Sequence, residues 1–179
     1  MAYSAAQIRP GRALMGWMTS EPDDHDRYRA IYEHHRQGLF TLALAITGCA
    51  AVAEDAVQEA FVRLWQGPPV AGDHVAYVHR AVRNAALDQR RRRAVRQGGD
   101  AGLAFLAAPA GADREAEHDL HEAMRALPAE QLEAVVLHLY VGLTFAQAAE
   151  VLGEPLATVA SRYRRALDRL RSLLAVRTE

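Results

Sequence analysis

The stretch TFAQAAEVLGEPLATVASRYRRALDRLRSL, residues 144–173, decides how the chain is read. Thr144 and Gln147 have capping-box spacing. The hydroxyl can accept from the backbone N–H three residues on, while the amide reaches back to the first N–H. A short helix therefore opens at Thr144. Gly153, Glu154 and Pro155 form a turn, and a longer basic helix runs from about Leu156 toward Val176. Short helix, glycine-containing turn and long helix are the helix-turn-helix layout. Ala149 is small and Val159 is apolar, so the two helices can cross closely. In this geometry the second helix enters the major groove and its N-terminal residues meet base edges. Thr158, Ser161, Arg162 and Arg165 stand where they can do that. Arginine can grip guanine with two hydrogen bonds, and Ser or Thr can serve bases or phosphates. Arg164, Arg169 and Arg171 are placed for phosphates or solvent. The competing reading is a plain helical hairpin with a basic outer face. The coincidence of cap, turn and basic face favours the DNA-binding one.

Upstream, a helix is expected over about Ala116–Ala126. Leu127 and Pro128 start another, with proline at a tolerated first-turn position and Glu130 at the positively polarised end. Leu132, Val135, Val136, Leu139 and Tyr140 are its apolar positions, and Gly142 breaks it. Residues 97–115, rich in Gly, Ala and Pro before a run of acids, read as a flexible linker.

Toward the N-terminus three more helices are expected. Tyr28, Ile31, Tyr32, His35, Leu39, Leu42, Ala43 and Ile46 recur at helical spacing, and Gly48 ends that helix. A second runs from about Val52 to Gln66. Val57, Ala60, Phe61, Leu64 and Trp65 form its apolar stripe, and Asp55, Gln58, Glu59 and Arg63 form a polar face with nothing in its own module to pair with. A third runs from about Asp73 into an arginine run, burying Val75, Val78, Val82 and Ala86. Residues 1–24 read as a loose arm. The expectation is an all-α protein of two small helical domains, 25–96 and 116–179, the second a helix-turn-helix.

Composition supports helices: half the residues are hydrophobic and only 7% aromatic. The net charge of −1 argues against a generic polyanion binder. The distribution says otherwise. There is no lysine, and arginine gathers in Arg80–Arg96 and Arg162–Arg177, while acids gather in 21–26, 54–59 and 113–122. Segregated charge suggests separate surfaces for separate partners. Cys49 is the only cysteine, which rules out an intramolecular disulfide and reads as a small buried apolar residue. No apolar run is long enough to cross a bilayer, and no signal-peptide layout is present, so a cytoplasmic protein with no membrane insertion of its own is expected.

Residues 77–93, YVHRAVRNAALDQRRRR, carry the second signal. Four successive arginines can neutralise phosphates. Arg80, Arg83 and Asn84 share one side of a helix. An aromatic ring, an amide and cations together suit stacking and hydrogen bonding to opened bases. A solvated basic helix end is the competing reading.

Catalytic signatures are missing. There is no P-loop, nucleophile elbow or dinucleotide glycine pattern. His34 and His35 point to different sides of a helix, and His118 and His121 lack a third ligand, so neither a metal site nor a cofactor is expected. A recombinase would need a catalytic Ser or Tyr in a cationic setting, which Ser4, Ser20 and the tyrosines do not have.

Taken together, these stretches resemble a bacterial RNA polymerase sigma factor of the extracytoplasmic-function (ECF) class. The resemblance covers about Asp26–Leu174. Residues 53–65, AEDAVQEAFVRLW, resemble the family's polymerase-binding helix. Residues 77–93 resemble its promoter-opening segment, with Arg83, Asn84, Leu87 and Asp88 in register. Leu127, Pro128 and residues 143–170 resemble its fourth conserved region. The order and spacing of these stretches make the resemblance specific. It implies a dissociable, non-catalytic initiation factor that binds core RNA polymerase, places it on promoter DNA and assists melting. The main alternative is a stand-alone helix-turn-helix regulator that acts without polymerase. The resemblance assigns polymerase contact to Asp55, Gln58, Glu59 and Arg63. It assigns the −10 element and melting to Tyr77, Arg80, Arg83, Asn84, Asp88, Arg90 and Arg91, with the loop at 67–73 shaping the pocket. It assigns the −35 element to Thr158, Ser161, Arg162, Arg164 and Arg165. It also implies an anti-sigma factor as a partner. Departures are Tyr77 where Trp is usual, Gln147 and Ala148 where Glu and Ile are usual, Ala160 for a frequent Lys, and the acidic turn at Glu154.

Overall fold

The computed structural model describes residues 24–68, 70–97 and 114–175. The expected N-terminal arm lies almost wholly outside this range, and so does most of the expected linker. Among the described residues seven α-helices follow one another: α1 Asp24–Thr47, α2 Ala50–Gln66, α3 His74–Gln97, α4 Arg114–Arg125, α5 Ala129–Val135, α6 Phe145–Leu152 and α7 Leu156–Ala175. A π-helical segment, Val136–Tyr140, extends α5. There is no strand among the described residues. The all-α expectation holds, and each expected helix is present within a few residues.

Helices α1 to α3 form the N-terminal unit. Tyr28, Leu39, Leu42 and Ala43 of α1 meet Ala53, Ala56 and Ala60 of α2 and Val78, Val82 and Ala86 of α3, all buried. The abundance of alanine on α2 lets its neighbours approach closely. Phe61 adds bulk and packs edge-on against Tyr32 at 5.1 Å. Trp65 departs from its expected place on the stripe. It is 46% exposed, with its ring 6.0 Å from that of Phe61. Asp73 caps α3: its Oδ1 accepts from the N–H of Val75 at 2.8 Å and of Ala76 at 3.0 Å.

His79 sits at the centre of this unit with no solvent exposure. Its Nδ1 bonds the Val75 carbonyl at 2.8 Å and its ring meets His35 edge-on at 5.5 Å. Its Nε2 is buried without a hydrogen-bond partner among the described residues. Burial outweighs the carbonyl and lowers its pKa to about 4. The histidine is therefore neutral in the folded protein at physiological pH.

Helices α4 to α7 form the C-terminal unit. Met124, Leu127, Leu132, Val135, Val136 and Leu137 make its core with Val151, Val159, Ala166 and Leu170. The π segment departs from the constant helical spacing expected there. It shifts the ladder so that the N–H of Val141 bonds Val136. With that shift Leu137 is buried, while Leu139 and Tyr140, expected to be core, are 58% and 41% exposed. The segment also places His138, whose Nδ1 bonds the Leu143 carbonyl at 2.8 Å. That ring stacks on Phe145 at 4.0 Å and meets Tyr163 edge-on at 4.9 Å. The three rings tie the π segment to α6 and α7.

The two units pack against each other. Helix α3 lies on α6, and α1 crosses the π segment, so the buried residues form one continuous core. Arg83 of α3 donates through Nε to Glu133 of α5 at 2.5 Å, with both side chains mostly buried. Gln147 of α6 donates to Asp73 at 2.8 Å.

Candidate nucleic-acid interface

The capping box expected at Thr144 is formed. Thr144 Oγ1 accepts from the Gln147 N–H, and the Gln147 side chain accepts from the Thr144 N–H at 3.0 Å. Gly153 ends α6 in the left-handed region at φ 68°, which costs glycine nothing and any other residue strain. The chain then turns through Glu154 and Pro155 into α7. Val159, Ala166 and Leu170 form the buried row of α7. Thr158, Ser161, Arg162 and Arg165 share a neighbouring face of α7, flanking that row, as i, i+3, i+4, i+7 spacing requires. Arg164 and Arg165 are exposed, and the other three are half-buried. Arg162 pairs with Glu154 at 3.3 Å. The acidic turn thus supplies the guanidinium with a carboxylate partner from just ahead of α7.

The α2–α3 seam holds the second candidate region. Tyr77, Arg80 and Asn84 line a cleft of about 250 Å³, facing Ala60, Arg63 and Leu64 of α2. A half-exposed ring, two guanidinium groups and an amide around an apolar floor can stack on and hydrogen-bond an unpaired base. Tyr77 and Arg80 also border a neighbouring cleft of about 220 Å³, closed by Val70, Ala71, Gly72, Asp73 and Ala76, with Glu150 of α6 at its edge. Residues 70–73 of the loop before α3 line this second cleft, which Asn84 does not reach.

Arg83 does not join that cleft. The expectation put it on the side of Arg80 and Asn84, but its guanidinium turns toward α5 and Glu133. One residue along a helix rotates a side chain by about 100°, and that step separates Arg83 from Asn84. Farther along α3, Asp88 pairs with Arg91 at 3.3 Å, Arg90 is half-buried, and Arg91 is 72% exposed. The arginine run stays helical throughout.

On α2, Asp55 and Gln58 are exposed. Gln58 borders a groove of about 320 Å³ with Tyr32, Arg36, Gln37, Phe40, Glu54 and Val57. Glu59 and Arg63 correct the picture of a face without partners in its own module. They bond each other, and Glu59 also accepts from Gln89 at 2.8 Å and pairs with Arg92 at 3.6 Å. Glu59 thus anchors the basic end of α3 to α2.

Cys49 is half-buried just ahead of α2 rather than part of the core. The Val52 N–H and Arg93 pull its thiol below the usual range. No cluster of three His, Cys, Asp or Glu suited to a metal occurs among the described residues. Nor is any described helix long and apolar enough to cross a membrane. Sequence reasoning missed Glu133 and the Asp73–Gln147 contact. An acid beside the apolar run at Leu132 and Val135 was the available signal for the first.

The described residues fold into helices alone, with a helix-turn-helix layout in one unit and a cleft lined by arginines, a tyrosine and an amide in the other. Comparison with known proteins defines the chain further. Residues 31–96 match the Sigma-70 region 2 family and residues 117–170 the Sigma-70 region 4 family. The chain is 35% identical over 155 residues to the ECF RNA polymerase sigma factor SigL of Mycobacterium tuberculosis, covering 82% of this chain and 88% of that one. It is 34% identical to SigM of the same organism, covering 83% and 79%. Among solved structures it resembles the sigma factor RpoE of Bartonella quintana, in complex with the anti-sigma factor NepR. The TM-score is 0.67 at 25% identity, covering 84% of this chain and 98% of that one. The chain belongs to the ECF RNA polymerase sigma factors, a family of non-enzymatic transcription initiation factors. The stand-alone regulator is not favoured, because such a protein has no need of the unit that matches region 2.

Proposed function

We propose a division of labour among three surfaces of this sigma factor. The α2 face at Asp55, Gln58, Glu59 and Arg63 docks on core RNA polymerase. The α2–α3 cleft with Tyr77, Arg80 and Asn84 receives an unpaired base of the −10 element, and Arg83, Asp88, Arg90 and Arg91 steer the adjoining strand. The outward row of α7, Thr158, Ser161, Arg162, Arg164 and Arg165, reads the −35 element as duplex. Residues 25–96 and 116–179 are the two working domains, with 97–115 linking them. The chain acts in the cytoplasm, catalyses no reaction and takes no cofactor. An anti-sigma factor is its expected regulator.

The observation that carries this reading is the cleft at Tyr77, Arg80 and Asn84. A duplex-only regulator has no use for a base-sized cleft lined by an amide and cations. Flipping a base costs a few kcal/mol, and such a cleft supplies the contacts that offset it. Run-off transcription with core polymerase on a genomic promoter library tests the reading. A discrete set of transcripts that depends on this chain is expected. Failure to retain core polymerase in a pull-down rejects it.

A further inference from the structure

Arginine is a long side chain, and a free one loses rotamer freedom when it grips a base. A partner that holds the guanidinium beforehand removes much of that loss. We propose, on the reading of α7 as the −35 helix, that Glu154 is a positioning residue for Arg162. It fixes the guanidinium before DNA arrives, so base preference at one −35 position depends on a side chain that lies in the turn rather than on α7.

Three observations support it. The first is the shelter of the pair. Arg162 Nη2 donates to Glu154 Oε1 at 3.3 Å, and the two side chains are 26% and 36% exposed. A second pair on the same helix, Arg171 with Asp168, is 74% and 73% exposed. Water and salt weaken that pair, whereas the partly buried one can hold a geometry. The second is the anchoring of the carboxylate. Gly153 turns the chain at φ 68°, and the Glu154 N–H bonds the Ala149 carbonyl at 3.1 Å. The next carbonyl, of Pro155, accepts from the N–H groups of Thr158 and Val159 at 2.9 and 3.2 Å, and Val159 is fully buried. Glu154 therefore projects from backbone that is held on both sides.

The third is the choice of arginine. Arg164 and Arg165 form no ion pair among the described residues, while Arg162 does. The two exposed guanidinium groups keep their whole charge for phosphates. The paired one gives up net charge, which lowers affinity for duplex of any sequence, and gains direction. One of its five donors goes to Glu154, and the rest stay free for the N7 and O6 of a guanine. A carboxylate just ahead of a helix also favours the macrodipole. That role needs no contact with Arg162 and changes no single base pair.

The test uses holoenzyme assembled from core polymerase and the full chain. The probe is a promoter recovered by run-off transcription, with its −35 element randomised, and the bound duplexes are sequenced. Glu154→Ala, Glu154→Gln, Arg162→Ala and the double alanine variant are compared, with circular dichroism to verify folding. Arg162→Ala marks the base pair that the arginine reads. Glu154→Ala should weaken preference at that same base pair by about threefold to tenfold, the scale set by immobilising one long side chain. The double variant should be no less selective than Arg162→Ala, since Glu154 acts through the arginine. Glu154→Gln retains an acceptor and should restore the preference. It also leaves Arg162 with its whole charge, so log affinity for non-promoter duplex should fall more steeply with log salt, by about one unit of slope. Unchanged preference in Glu154→Ala, a uniform loss at every position, or a change at a different base pair would each overturn the positioning role. If Arg162→Ala itself relaxes no base pair, the reading of Arg162 as a base contact fails, and the role of Glu154 falls with it.

Discussion

Lowering the pH should loosen the N-terminal unit through a single buried histidine. His79 has a pKa of about 4 in the folded chain against 6.5 when exposed. Between those values the unfolded chain binds more protons than the folded one, so stability rises with pH across that window. The contribution is complete above pH 6.5, declines as pH falls through it, and is lost by about pH 4. At 1.4 kcal/mol per pH unit the whole gap amounts to about 3 kcal/mol, of which about 2 kcal/mol is gone at pH 5. That is a large part of a typical domain's stability of roughly 5–15 kcal/mol. The charged groups around the ring act in opposite directions. His35 of α1, ring to ring at 5.5 Å, disfavours a second positive charge, and Asp73 ahead of α3 favours it. Urea denaturation of the parent and of His79→Leu at pH 7, 6 and 5, followed by circular dichroism, reads the effect. The parent should lose about 2 kcal/mol more than the variant between pH 7 and pH 5. Parallel pH profiles would mean that His79 is not the group responsible, because the carboxylates and the other histidines are common to both chains.

Other outcomes concern the two interfaces and the turn between α6 and α7. Arg162→Ala should weaken −35 recognition by about 1–3 kcal/mol, with relaxed preference at one base pair in a competition assay; an equal loss on every sequence would make it a phosphate contact. Asp55→Arg should abolish retention of core polymerase in a pull-down while leaving the thermal melt unchanged, because the side chain is exposed; undiminished retention would remove Asp55 from the docking face. Gly153→Ala should lower stability by about 1 kcal/mol, seen as a lower Tm, since φ is 68° there; an unchanged Tm would mean that the turn relaxes without strain.

Much of the fold is legible because local rules and tertiary packing agree. The capping box at Thr144, the glycine at 153 and the buried row of α7 are each written within a few residues. The outward row at 158, 161, 162 and 165 follows from them by helical spacing alone. The rest depends on neighbours distant in sequence. Glu59 reads as part of a face without partners, yet Gln89 and Arg92 lie thirty residues and more away on α3. Arg83 reads as a companion of Asn84, but Glu133, fifty residues on, draws it to the other side. The π segment reverses the burial of Leu137 against Leu139 and Tyr140, because constant α-helical spacing does not anticipate a local widening of the ladder. Trp65 follows hydrophobic spacing, yet it stays 46% exposed near the end of α2.

In the proposed mechanism the α7 row and the α2–α3 cleft act together, on core polymerase, at one promoter. A promoter recovered from the run-off library, with 2-aminopurine placed in its −10 element, makes that cooperation visible. Fluorescence should rise only when core polymerase and this chain are both present, and Asn84→Ala should reduce the rise more than it reduces retention of the duplex. Tight, sequence-specific binding of that promoter by the chain alone, with core polymerase adding neither affinity nor opening, would contradict it.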